Sequence, residues 1–137
     1  MLSEERIEYY RNLGLKITPQ RLAILEYLEK HFTAHPTAED IYRYVKERFP
    51  SMSFATVYNT LEALKERGLV KELYIEEGKK RFDLNVQPHH HFYCTSCGRL
   101  IDLHEGVKVE ISERFKNKLN ILEIRVFFLG ICDRCQG

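Results

Sequence analysis

The sequence predicts an α+β fold in two parts: an N-terminal winged helix-turn-helix domain and a small C-terminal α/β domain closed around a metal ion. Three observations predict it. Four helical segments with clear caps and stops fill the first half, two strand-like runs follow them, and two C-x2-C pairs lie in the last third. The 137 residues suffice for one ordinary domain or two small ones. With 21 Lys plus Arg against 20 Asp plus Glu, the net charge of +1 excludes a generic polyanion binder.

Each helix carries its own signals. Ser3 is a cap with Leu2 and Ile7 placed as a hydrophobic staple, and Gly14 supplies a left-handed exit. Thr18 followed by Pro19 opens a second helix, with Leu22, Leu25 and Leu28 on its apolar stripe. Thr37 and Asp40 form a capping box with Asp in place of the usual Glu, ahead of Ile41, Val45 and Phe49, and Pro50 ends the helix. Ser53 caps the fourth, which buries Val57, Leu61 and Leu64 and stops at Gly68.

Strands are expected at 69–75 and 80–84, joined through Glu77 and Gly78, and helices followed by such a hairpin suggest a winged helix. The stretch 85–88 ends in proline and breaks the pattern, so it is expected to be a hinge between 1–84 and 89–137. Beyond it come a strand into the first cysteine pair, a strand at 100–103, and a helix with Val107, Ile111 and Phe115 in register. A strand at 122–128 then leads to the second pair.

Cys94, Cys97, Cys132 and Cys135 suit one tetrahedral zinc, because each C-x2-C loop presents two thiolates to one ion. Four thiolates leave no open position, so this zinc is read as structural. Four buried apolar cysteines and a thiol redox switch are the alternatives. No apolar run approaches the ~20 residues that span a bilayer. With no apolar leader in the first residues, the chain is expected to be cytoplasmic.

His89 and His91, two apart in an extended run, share a face. Asp83, Asp102 and His35 complete a set that suits Fe(II), Mn(II) or Zn(II), with the carboxylates leaning towards the first two. The plainer alternative is a surface histidine run.

The segment 49–61 carries no charge, and Ser53, Ala55, Thr56, Tyr58 and Asn59 lie off its buried stripe, where they can meet base edges or phosphates. Lys16, Arg21, Lys65, Arg67 and the run Lys79, Lys80, Arg81 surround it with positive charge. A solvated helix face explains the same pattern without DNA. A zinc hydrolase or deaminase needs an open metal position and an H-x-E pattern; here His104 and Glu105 are adjacent, so no enzyme is expected.

Taken in order, the run 16–25, the segment 35–42, residues 55–59, Arg81 to Asp83, the three histidines before Cys94 and the paired cysteine knuckles resemble the ferric uptake regulator family of bacterial metal-dependent repressors. The resemblance covers nearly the whole chain. It implies a homodimer that binds double-stranded inverted-repeat operator DNA through residues 1–84, dimerises through 89–137, and takes no small molecule beyond metal and hydrogen peroxide. A regulatory Fe(II) or Mn(II) would sit on His35, Asp83, His89, His91 and Asp102.

Iron-sensing members tend to have Glu where Asp83 and Asp102 stand, so the chain is most similar to the peroxide-sensing branch. There, peroxide and Fe(II) lead to oxidation of histidines at the positions of His35 and His89, and Mn(II) resists that chemistry. An iron-responsive repressor is the alternative within the family. The stretch 124–132 lacks the histidine of a further site found in many iron sensors, so none is expected from His90, His104 and Glu105.

Overall fold

Local capping decides where the helices begin. In the computed structural model, which describes residues 2–76, 78–87 and 89–136, Ser3 Oγ accepts from Arg6 N–H ahead of α1 (Glu4–Asn12). Thr18 Oγ1 does the same for Arg21 ahead of α2 (Pro19–Lys30), with Pro19 at the first helical position. Thr37 and Asp40 form the reciprocal box ahead of α3 (Ala38–Arg48), each side chain accepting from the other's backbone N–H at 3.1 and 3.0 Å. Ser53 caps α4 (Phe54–Glu66). Gly14 and Gly68 take positive φ after α1 and α4, the left-handed exits expected from sequence.

The chain divides into two units, Met1–Val86 and Gln87–Gly137. In the first, α2, α3 and α4 meet on a core of Ile24, Leu25, Leu28, Ile41, Val45, Val57, Leu61 and Leu64, none more than 1% exposed. Full burial of each such side chain stabilises by about 1.5–3 kcal/mol. The antiparallel hairpin of β1 (Lys71–Glu76) and β2 (Lys79–Asp83) follows, starting two residues later on its first strand and one earlier on its second than the sequence suggests. The expected connection at Glu77 and the hinge residue Pro88 fall outside the described residues.

In the second unit β3 (His90–Cys94) is central, antiparallel to β4 (Leu100–Leu103) and parallel to β5 (Phe127–Gly130). Two expectations are corrected here. The helix read through Val107, Ile111 and Phe115 is only the single turn α5 (Glu113–Lys116). The last strand lies at 127–130, not 122–128. In both cases much of the apolar stripe is left uncovered: Ile111 is 39% exposed, Phe115 49% and Leu122 90%. A short helix without a covered face is not stable in water, and the parallel ladder forms only where His91 N–H reaches the Val126 carbonyl and Thr95 N–H reaches that of Gly130. No helix among the described residues is long and apolar enough to cross a membrane.

Candidate functional site

The four cysteines meet because the β-ladder brings two turns side by side. Cys94 ends β3, and the turn back to β4 is closed by Gly98 N–H on the Cys94 carbonyl. Opposite, Cys94 pairs with Gly130, so the 3-10 turn Asp133–Cys135 arrives beside it. The sulfurs of Cys94, Cys97, Cys132 and Cys135 lie within 4.8 Å of one another. Backbone N–H groups of Cys132 and Cys97 donate to Cys94 Sγ at 3.3 and 3.4 Å and bring its thiol down to about 6, whereas the neighbouring Cys132 sulfur holds Cys135 up to about 12. Cys132 is also held below the ordinary thiol range, so Cys94 and Cys132 are prepared as thiolates while the crowded sulfurs oppose ionisation of Cys135. A divalent cation removes that opposition, so the donor set fits tetrahedral zinc.

The histidines and aspartates form two groups, one in each unit. In the first unit His35 follows the 3-10 turn Phe32–Ala34 in a left-handed conformation, φ 49 and ψ 63. The next carbonyl, Pro36, accepts from Phe82 N–H at 2.8 Å, which ties this segment to β2 and sets His35 Nε2 3.6 Å from Asp83 Oδ2. Both side chains are 1% exposed. Asp83 Oδ1 accepts from Asn85 N–H.

In the second unit His91 faces Asp102 across the β3–β4 pairing, and His89 lies on the same side, its ring 4.5 Å from that of His91. The Nε2 atoms of both histidines lie 3.1 Å from Asp102 Oδ1. His89 Nδ1–H donates to the Gln87 carbonyl at 2.7 Å, so that a neutral His89 carries its lone pair at Nε2, on the Asp102 side. Two imidazole nitrogens converging on a carboxylate oxygen, at 4%, 5% and 15% exposure, suit a divalent cation. His90, His104 and Glu105 form no cluster of ligand atoms among the described residues.

On α4, Ala55, Tyr58 and Asn59 are exposed and Thr56 is half-buried, opposite the buried Val57, Leu61 and Leu64. Ser53 is also exposed, but its hydroxyl is engaged as the cap of α4 and touches Thr56 Oγ1 at 2.8 Å. Lys16 is exposed, and Arg21 folds back to donate to the Lys16 carbonyl. Sequence reasoning missed Glu72, which is buried on the hairpin and binds lysines of both β2 and α4. An alternating charged strand gives no sign of such a partnership.

The model of the Ferric uptake regulator family matches residues 12–128. The chain belongs to that family. It is 42% identical to the Peroxide operon regulator of Bacillus subtilis over 135 residues, 97% of this chain and 92% of that protein. Among solved structures, PerR of Streptococcus pyogenes, described for peroxide sensing and gene regulation, is 32% identical, with a TM-score of 0.54 over 97% of this chain and 92% of that one. The ferric uptake regulator of Vibrio cholerae is 27% identical, with a TM-score of 0.68 over 91% and 98%.

Proposed function

We propose that this family member is a metal-dependent, peroxide-responsive transcriptional repressor that binds inverted-repeat operator DNA as a homodimer. The observation that carries the reading is the convergence of His89 and His91 on Asp102, with the His89 tautomer set by Gln87. His35 and Asp83 offer a second buried pair in the other unit. Structural zinc is assigned to the four cysteines, and Fe(II) or Mn(II) to His35, Asp83, His89, His91 and Asp102.

A cation that takes donors from both units restricts their relative orientation. The two α4 helices of a dimer then match half-sites on one face of the duplex. A full swing from mostly free to mostly bound requires metal to favour the competent state by about 5 kcal/mol. When bound, Fe(II) would activate hydrogen peroxide by lending one electron to it and taking one back from the oxygenated ring, with no net change at the metal; Mn(II) would not. The chain's part is to hold His35 and His89 imidazoles where one of them takes up the oxygen: a ring C–H becomes C–OH, and the second peroxide oxygen leaves as water. An oxidised ring is a poorer ligand, and the units are released. The relatives named for peroxide support this reading, as does Asp at positions 83 and 102.

Mass spectrometry after Fe(II) loading and a mild peroxide dose tests it. One added oxygen on the peptide holding His35 or His89, together with loss of operator binding, is expected. Preserved binding without the adduct favours an iron-responsive repressor. Footprints that are identical with metal and with chelator overturn metal dependence altogether.

A further inference from the structure

The wing hairpin is tied to α4 by a chain of polar contacts. Across the β1–β2 ladder Tyr74 pairs with Lys80 and Glu72 with Phe82, so these four side chains share one face. Phe82 anchors that face in the helical core at 2% exposure, and Glu72 is carried down with it to 8%. The Glu72 carboxylate accepts from Tyr74 Oη at 2.7 Å, lies 3.2 Å from Lys65 Nζ in the last turn of α4, and accepts from Lys80 Nζ at 3.5 Å. Burial pushes the Glu72 carboxyl up, but Tyr74 and the two lysines outweigh it and hold the group below the ordinary carboxylate range. Lys80 Nζ in turn reaches Tyr58 Oη at 3.1 Å and lies 5.4 Å from the centre of its ring. Tyr58 and Lys65 stand about 10 Å apart along α4, so Glu72 grips that helix at two points.

An ammonium has no acceptor, so at the Lys80–Tyr58 contact the phenol oxygen must accept. The phenol's own hydrogen is then turned away from Lys80. Tyr58 borders a cleft of about 650 Å³ between the hairpin and the helices, which Arg43, Lys79 and Arg81 also line.

We propose that Lys80, held by Glu72, is a positioning residue that commits Tyr58 to donate its hydroxyl hydrogen to an acceptor atom of duplex DNA. The inference rests on the operator-binding reading and names the chemistry of that contact. The acceptor is either a phosphate oxygen or a base-edge acceptor in the major groove, such as guanine N7 or O6 or thymine O4. A committed donor rejects the amino groups of adenine and cytosine.

The test is a double-mutant cycle on the full metal-loaded chain, using a duplex that the wild type recovers from a random pool and a scrambled duplex beside it. Tyr58→Phe and Lys80→Met are each expected to weaken binding to the recovered duplex about tenfold. The double variant should lose about tenfold again in total rather than about a hundredfold, because the two residues act as one unit. Lys80→Arg, which keeps a donor, should restore most of the affinity, and matching melting temperatures across the series separate coupling from misfolding. A Tyr58→Phe loss confined to the recovered duplex identifies a base edge; an equal loss on both duplexes, with a shallower salt dependence for Lys80→Met, identifies a phosphate. Independent effects that multiply, or wild-type affinity in Lys80→Met, overturn the proposal alone. A wild-type chain that recovers no duplex overturns the operator-binding reading and the proposal with it.

Discussion

His89 Nε2 faces Asp102 Oδ1 at 3.1 Å while the opposite ring nitrogen is held by the Gln87 carbonyl. A lone pair pointed at a carboxylate oxygen is repulsive unless a proton or a cation lies between them. The arrangement therefore suits a bound metal, and the length of the Asp102 side chain sets how closely the carboxylate approaches both histidines. Asp102→Glu adds one methylene. It should retain metal-dependent operator binding but slow inactivation by peroxide on the order of tenfold. Gel shifts over a peroxide series measure this, and an unchanged peroxide response counts against the role given to Asp102.

Cys97 is the exposed member of the sulfur cluster, yet it donates a backbone N–H to Cys94 Sγ and lies 3.8 Å from Cys132 Sγ. Replacing its sulfur removes a ligand and leaves three crowded thiols. Cys97→Ser should lose zinc and with it the melting transition of the second unit, because metal binding free energy is folding free energy in a unit this small. Metal content by mass spectrometry and a thermal melt report on it. Full zinc loading with an unchanged melt would show that the site does not hold the fold.

The backbone of His35 carries a cost of its own. At φ 49 a side chain other than Gly, Asn or Asp loses about 1 kcal/mol or more. His35→Asn and His35→Ala both remove the imidazole, so a difference between them isolates the backbone. In urea unfolding of the metal-free chain, His35→Asn should be more stable than His35→Ala by about 1 kcal/mol. Equal stabilities would mean that the conformation at position 35 relaxes when the ring is gone.

What could be read from the sequence was what short range controls. The caps at Ser3, Thr18, Thr37 and Ser53 act within three residues, and each is where the pattern puts it. His89 and His91 share a side, as their two-residue spacing in an extended run predicts, although β3 itself begins only at His90. The ladder ends were misplaced by a residue or two, since pairing partners and not composition fix them. In the region 107–126 the sequence misleads, because Ile111, Phe115 and Leu122 carry helical and strand periodicities but are left largely uncovered. The Glu72 contacts with Lys65 and Lys80 were invisible, because they join residues whose proximity depends on how the hairpin packs.

Tyr10 predicts an alkaline limb to stability. Its ring is 2% exposed between α1 and α2, and its hydroxyl donates to Glu29 Oε2 at 2.8 Å beside Arg6. Burial, with the Glu29 carboxylate adding to it, pushes the phenol from 10.0 up to about 12. The unfolded chain gives up this proton first, so the stability Tyr10 contributes is full below about pH 10 and is lost as pH rises towards about 12. Tyr10→Phe should lower stability near pH 7 by about 1 kcal/mol, and flatten the decline above pH 10. Urea midpoints across that range check the sign; a parallel decline in both proteins would remove Tyr10 as its source.

The exposed apolar residues of the second unit bear on assembly. Leu119, Ile121, Leu122 and Ile124 are 43–90% exposed, and Phe128 and Leu129 on β5 are 46% and 67% exposed. A run of this kind on one small unit is characteristic of an association surface, and a stable dimer needs about 800 Å² from each partner. Leu122, the most exposed of them, should become a central contact once a second copy covers it. Leu122→Asp places a charge there and should weaken dimerisation by about 2 kcal/mol or more, roughly thirtyfold. In sedimentation velocity the wild type should run at twice the 16.3 kDa chain mass and the variant should shift towards the monomer at micromolar concentration. If the chain binds operator DNA as proposed, that binding should fall with it, because one α4 alone would read only a half-site. A Leu122→Asp chain that dimerises as tightly as the wild type would place the interface elsewhere.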